Sequence, residues 1–376
     1  MPETQFTAGL EDVVAVTSDI CFIDGDEGRL VYRGYDIHDL IAGSCSFEEV
    51  VYLLWHGELP TAAELQTFNA SLVSERALRA EVLKTLHTLP PTGNAMELLR
   101  TLVSVSGLSD PDDADNSYES SVRKAIRLVA QLPTMVTAIE RFKNGQEPIA
   151  PRTDLSHAGN FLYMLSGQAP DDYTTRAFEI ALILHADHEL NASTFSARVT
   201  AATLSDIYSA ITSAVGTLKG PLHGGANEQV MLMLKEIGDP ATAETWIRKA
   251  LADKRRIMGF GHRVYHTEDP RATHLRKMSK EMGERNGNTS YYEMSQAIER
   301  VVKADKKLNP NVDFYSASMY YMMGLPIHLF TPVFAISRIS GWTAHVLEQY
   351  RNNRLIRPRA EYTGIKRRAY VALKDR

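Results

Sequence analysis

The chain predicts a mainly α-helical protein of two lobes, one large and one smaller, with a small β-hairpin near its N-terminus. Three observations carry that prediction. Most of the sequence falls into apolar-periodic stretches of roughly 10 to 20 residues bounded by capping residues, Gly and Pro, the pattern of helices joined by short turns. Only one early stretch is β-prone. The 376 residues exceed one typical domain, so a cleft between lobes is expected.

Ile20 to Asp24 and Arg29 to Tyr32 are the β-prone runs, and Gly25 to Gly28 between them reads as the turn of a hairpin. Helical signals then take over. Ser46-Phe47-Glu48-Glu49 is a capping box, in which hydroxyl and carboxylate each satisfy an orphan backbone group, and it opens the run Val50 to Trp55. Gly57 and Pro60 close that helix. Thr61-Ala62-Ala63-Glu64 and Ser290-Tyr291-Tyr292-Glu293 repeat the start signal, while Pro240, Pro270 and Pro332 sit where a first helical turn tolerates a missing donor. Ser193 to Gly220 is rich in Ala, Ser and Thr, whose small side chains let helix axes approach closely, so this stretch is expected at the centre of the large lobe or at a subunit contact. Gly224-Gly225 and Gly324-Leu325-Pro326 bracket a charged helical block. The expected division is therefore residues 1–224 and 325–376 for the large lobe and 225–324 for the small one.

Composition removes several function classes. A net charge of -5 and a pI near 6.2 argue against a nucleic-acid binder, which needs clustered positive charge. Cys21 and Cys45 are too few for a disulfide framework and suit a reducing, cytoplasmic setting. Met1 to Val13 hold three acids and no Lys or Arg, unlike a secretory signal or transit peptide. Apolar runs are broken by charge well before the roughly 18 residues a membrane span requires.

Three segments place ionisable groups on loops at helix ends, where Gly or Pro interrupts helical sequence. In Gly220-Pro221-Leu222-His223-Gly224-Gly225-Ala226, His223 lies beside a new helix N-terminus, whose partial positive charge favours neutral imidazole, a hydrogen-bond donor. The alternative is a solvated turn histidine. In Met258-Gly259-Phe260-Gly261-His262-Arg263-Val264-Tyr265 the third glycine of a dinucleotide fingerprint is missing and no buried strand precedes it. A loop whose amides, with Lys254, Arg255, Arg256 and Arg263 nearby, meet phosphates fits better, against a simply solvated basic face. Asp269-Pro270 reads as an N-cap and first-turn proline, putting Arg271 in the opening turn of the next helix. In Asn309-Pro310-Asn311-Val312-Asp313, Asp313 is either a proton acceptor or an ordinary N-cap.

His185 and His188 are expected on one apolar helix face with Phe178, Ala181 and Leu182, as core histidines or ligands. His185-Ala186-Asp187-His188-Glu189 fits no zincin spacing, so no metal is expected and metal catalysis is an unsupported rival. Arg338 sits mid-helix between Phe334 and Trp342, and Arg357 lies in a cationic loop near the C-terminus. Converging arginines suit a dicarboxylate, because each guanidinium can pair bidentately.

Taken together, Leu218 to Glu228, Met258 to Tyr265, Asp269-Pro270-Arg271 and Pro310 to Ser316 resemble the citrate synthase family, as do Tyr32-Arg33-Gly34-Tyr35, Asp187-His188-Glu189, Gly341-Trp342 with Ala344-His345, and Ile356-Arg357-Pro358. The resemblance covers nearly the whole chain. It implies a helical homodimer, or a higher assembly of dimers, whose small lobe is mobile. It also implies an acyltransferase of the Si type that condenses acetyl-CoA with oxaloacetate to citrate and CoA, at the opening of the tricarboxylic acid cycle, with no separate cofactor. By the same resemblance Asp313 is the base, His223 the donor to the enolate, and His262 the donor that polarises the ketone. His188, Arg271, Arg338 and Arg357, the last from a neighbouring subunit, are implied as dicarboxylate ligands. Arg256, Ile257, Met258, Gly259, Phe260, Gly261 and His266 are implied as the CoA site. His266 stands where relatives usually carry Lys or Arg, and Ser316-Ala317 with Tyr321 to Gly324 is similar to 2-methylcitrate synthases, which use propionyl-CoA. A catalytically silent scaffold of the same fold is the rival from another class.

Overall fold

A computed structural model describes residues 7–11 and 13–376. The hairpin forms as β1 (Cys21–Asp24) and β2 (Arg29–Tyr32), antiparallel with Cys21 opposite Tyr32, and gains a third short strand, β3 (Tyr35–Asp36). Sixteen helices follow among the described residues: α1 (Ile37–Ala42), α2 (Phe47–His56), α3 (Ala62–Ser74), α4 (Ala80–Thr88), α5 (Ala95–Leu108), α6 (Tyr118–Lys143), α7 (His157–Ser166) and α8 (Asp172–His185); then α9 (Ala192–Ala201), α10 (Ile207–Leu218), α11 (Ala226–Ile237), α12 (Pro240–Ala252), α13 (Pro270–Arg285), α14 (Ser290–Lys306), α15 (Val312–Met322) and α16 (Phe330–Arg351). No helix is long and apolar enough to cross a membrane among the described residues.

The capping boxes form as expected. Ser46 Oγ accepts from Glu49 N while the Glu49 carboxylate accepts from Ser46 N at 2.7 Å, and Thr61 with Glu64 repeats the motif. Gly57 ends α2 in a left-handed conformation, φ 92°, which costs a residue without Cβ nothing. The helix expected to be capped by Ser290 begins one residue earlier. Thr289 is the N-cap of α14, its hydroxyl bonding the Glu293 carboxylate at 2.5 Å, while Asn288 Oδ1 takes the Ser290 N–H. Two helices exceed the expected length, α6 at 26 residues and α16 at 22. The longer runs straight through Pro133, whose penalty of about 3 kcal/mol is outweighed because every residue from Leu128 to Glu140 is buried.

The core is built round α16, nearly all of which is buried, including Trp342 at 0% exposure; α2, α6, α8, α9 and α10 all pack on it. The small-residue stretch supplies α9 and α10, which lie against each other and both against α16. Further along, α13 packs on α15, α12 on α14 and α11 on α15.

Candidate active site

Four loops and helix ends deliver the polar groups to one place. His188, expected on the face of α8, stands beyond it. The helix stops at His185 because Asp187 bends back to accept the Glu189 N–H at 3.1 Å, an alternative to continued helix, and Glu189 takes a left-handed conformation with φ 50°. His188 therefore projects from a tight turn before α9, its Nε2 3.2 Å from Tyr265 Oη. His185 remains a core residue, Nδ1 2.7 Å from Ala181 O, and burial drives its pKa down to about 3.

His223 lies in the turn before α11, and its Nε2 accepts the Ser193 N–H at 3.3 Å with Ser193 Oγ at 2.7 Å. A backbone N–H can only donate, so Nε2 is bare and Nδ1 carries the proton. Ser193 is fixed in turn by Trp342, whose Nε1 donates to its Oγ at 3.1 Å. The same logic assigns His262, where Nδ1 accepts from Val264 N at 3.0 Å and Tyr265 N at 3.2 Å, leaving Nε2–H as the free donor. The His262 ring sits edge-on to His188, centroids 5.0 Å apart. Burial lowers both His223 and His262 to about 4, with Arg338 assisting at the first and Arg271 at the second. Both rings are neutral donors at pH 7.

Asp313 is not the N-cap. Asn311 takes that role, accepting the Asp313 N–H at 3.0 Å, which frees the Asp313 carboxylate in the first turn of α15. Its Oδ1 is buried without a partner. Burial pushes the carboxyl up to about 7 against the pull of Arg271 and Arg338, with Asp269 adding to the rise. Arg271 is nearly inaccessible and pairs bidentately with Asp269 at 2.9 and 2.8 Å; Asp269 also accepts the Val312 N–H at 3.0 Å. One carboxylate thus ties the helix bearing Arg271 to the helix bearing Asp313. Arg338, 1% exposed, donates from Nε to His185 O at 2.7 Å, and among the described residues no carboxylate lies within ion-pair distance of it. Burial lowers its pKa to about 10, still a cation.

The expected phosphate loop is stitched to the strand-like stretch before Asp313. Asn311 N donates to Gly259 O, Gly261 N to Asn309 O, and Asn311 Nδ2 to Gly261 O, at 2.9, 2.9 and 3.0 Å. Gly259 has φ 84°, and a Cβ there would sit 2.8 Å from Val230 and 2.9 Å from Phe314. Phe260 packs on Phe314 at 4.5 Å between centroids, Ile257 and Met258 are half-buried, and Arg256 and His266 are exposed. Of the neighbouring cations, Arg255 is already engaged by Glu236 at 2.7 Å and stacks on Trp246, so it belongs to a local ion pair. Arg357 is exposed, on the C-terminal segment that follows α16.

Asp269 is the N-cap expected, accepting the Arg271 N–H, but its pairing with Arg271 was not foreseen, and Tyr265, Ser193 and Trp342 are site residues that sequence reasoning left without a role. A cavity of about 210 Å³ opens beside His262, walled by Tyr265, His266, Lys307 and Pro310, and Lys307 was also unassigned. Among the described residues no three His, Cys, Asp or Glu side chains converge as a metal ion would require.

With that geometry in view, the family described as "Citrate synthase, C-terminal domain" matches residues 9–359. Citrate synthase 2 of Bacillus subtilis is 53% identical over 375 residues, covering 98% of this chain and 99% of its own. The 2-methylcitrate synthase 1 of Corynebacterium glutamicum is 44% identical over 383 residues, covering all of both. The citrate synthase of Thermoplasma acidophilum, solved as a ternary complex with carboxymethyl coenzyme A and oxaloacetate, superposes with a TM-score of 0.93 at 34% identity, covering 99% of this chain and 100% of its own.

Proposed function

The chain belongs to the citrate synthase family, and on that premise we propose that it condenses acetyl-CoA with oxaloacetate and water to citrate and CoA. The observation that carries the reading is the unpartnered, buried Asp313 carboxyl under the influence of two guanidiniums, Arg338 and Arg271, which also act on two imidazoles, His223 and His262 respectively, whose free nitrogens are donors. Ionised Asp313 removes a methyl proton from the thioester. The electron pair moves onto the thioester oxygen, where His223 Nδ1–H stabilises it as it forms. The enolate carbon then attacks the ketone of oxaloacetate, polarised by His262 Nε2–H, and water hydrolyses the resulting citryl thioester, releasing CoA. A general base supplies on the order of 10² to 10⁴ in rate and one oriented oxyanion donor roughly 3 kcal/mol; the weak acidity of the methyl group requires both.

His188, Arg271 and Arg338 serve as the dicarboxylate ligands in this reading, with Arg357 of the partner subunit completing the set. Support for a homodimer comes from the C-terminal segment, which beyond Asn353, tied to Ala202 O at 3.1 Å, has little regular structure and leaves Tyr362 66% and Tyr370 84% exposed. Residues 225–324 act as the mobile lobe and the loop Arg256 to Gly261, with His266, as the CoA site. The free thiols of Cys21 and Cys45 accord with a cytoplasmic location. Ser316-Ala317 and the Corynebacterium glutamicum relative favour weighing propionyl-CoA as the second acyl donor. The deciding measurement is kcat/KM for acetyl-CoA and propionyl-CoA in thiol release that depends on oxaloacetate. A higher value for acetyl-CoA is expected; a propionyl-CoA preference assigns 2-methylcitrate synthesis, and no release with either refutes an active enzyme.

A further inference from the structure

One buried network behind the site has no part in the chemistry above. Asp187 directly precedes His188 and is fully buried. Its Oδ2 accepts from Glu189 N at 3.1 Å and faces His345 Nε2 at 3.3 Å. The other nitrogen of His345 lies 3.0 Å from Arg198 Nη1. Arginine can only donate, so that nitrogen is bare and the imidazole proton sits on Nε2, aimed at Asp187. Arg198 is held by Glu348 and by Gln349, the latter at 3.0 Å.

The opposite carboxylate oxygen, Asp187 Oδ1, meets the backbone of α16 so closely that a Cβ at Gly341 would fall 2.2 Å from it. Beside this contact, Gly341 N and Ser340 Oγ both donate to Ala186 O at 3.1 Å. Arg338, Gly341 and His345 recur at three- and four-residue intervals, hence on one face of α16. That face grips the turn carrying His188. The grip sustains a costly conformation, since Glu189 holds a left-handed backbone that a side chain disfavours, and the Asp187 carboxylate bonds the Glu189 amide.

We propose that Asp187 and His345 form a positioning pair: His345, its tautomer set by Arg198, anchors the Asp187 carboxylate so that the turn bearing His188 is registered against the helix bearing Arg338. The inference rests on the reading of His188 and Arg338 as dicarboxylate ligands. Asp187 also supplies compensating negative charge to Arg338, whose guanidinium donates to His185 O and lies over the Phe334 ring.

The test compares His345→Leu, His345→Gln and Arg198→Met with the unaltered enzyme, measuring KM for oxaloacetate, KM for the thioester, and kcat. His345→Leu removes the donor and should raise oxaloacetate KM at least tenfold while thioester KM stays within about twofold. His345→Gln keeps an N–H at that position and should recover most of the loss. Arg198→Met frees the tautomer, so its oxaloacetate KM should rise while its thioester KM stays within about twofold. Native oxaloacetate KM in folded His345→Leu, no rescue by Gln, or native oxaloacetate KM in folded Arg198→Met would each overturn the proposal. Arg338→Gln separates the two levels: unchanged oxaloacetate KM there removes the underlying site assignment, whereas a raised KM with a native-like His345→Leu removes the positioning pair alone. If His345→Leu fails to fold, the oxaloacetate KM values of His345→Gln and Arg198→Met decide.

Discussion

Asp313→Asn should abolish turnover and stabilise the protein at neutral pH, and the two effects share one cause. The carboxyl is lifted from 3.8 to about 7 by burial, only partly offset by Arg271 and Arg338. Between those values the unfolded chain has lost a proton that the folded chain retains, so stability falls as pH rises from about 4 to about 7 and then levels off. A displacement of about three units at 1.36 kcal/mol each is on the order of 4 kcal/mol. Asparagine cannot ionise and escapes this loss. At the unfolding entropy typical of globular proteins, the melting temperature of Asp313→Asn relative to wild type should therefore climb by roughly 5 °C between pH 4 and pH 8. Thermal unfolding across that range, beside oxaloacetate-dependent thiol release, measures both effects. A melting difference that does not change with pH, or near-native turnover in the variant, would refute the account of Asp313 as a destabilised base.

The kcat/KM for the thioester should rise with pH through an acid limb near 7 as Asp313 ionises, with no limb between pH 5 and 6, because His223 and His262 are already neutral there. A limb near 6 in a pH-rate profile would transfer the base role to a histidine. Arg357→Gln and Asp313→Asn, each inactive alone, should regain part of the activity when refolded as a mixture, since a mixed dimer assembles one intact site from Arg357 of one subunit and Asp313 of the other. Complete failure to complement would place Arg357 in its own subunit's site or outside both. Ser46→Ala removes the cap of α2, far from the chemistry, and should cost about 1 kcal/mol of stability with kcat and KM unchanged; lost activity at full stability would contradict that separation.

Local physics made much of the fold readable. The capping boxes at Ser46 and Thr61, the prolines opening α12 and α13, and the hairpin of β1 and β2 depend on groups a few residues apart. The errors came where a distant group competed with a local signal. His188 left its helix because Asp187, locked against Gly341 and His345, turned back on the chain, and Pro133 stayed inside α6 because burial outweighed a missing donor. The candidate site divides in the same way. His223, His262 and Asp313 could be picked out as polar groups at helix ends, but Ser193 and Trp342 carried no local mark of their roles, and the N-cap signal at Asp269 did not reveal its pairing with Arg271.

The residue order by itself determined which groups could take part in proton chemistry and on which kinds of loop they would stand, since helix ends and turns follow from interactions within one or two helical turns. The protonation states and donor directions were decided only by tertiary structure. Burial lifts Asp313 toward neutrality and holds His223 and His262 uncharged, and backbone amides supplied by distant segments choose which imidazole nitrogen keeps its proton. Desolvation and hydrogen bonding depend on what the folded chain packs round a group, and for these residues those neighbours include groups tens to hundreds of positions away.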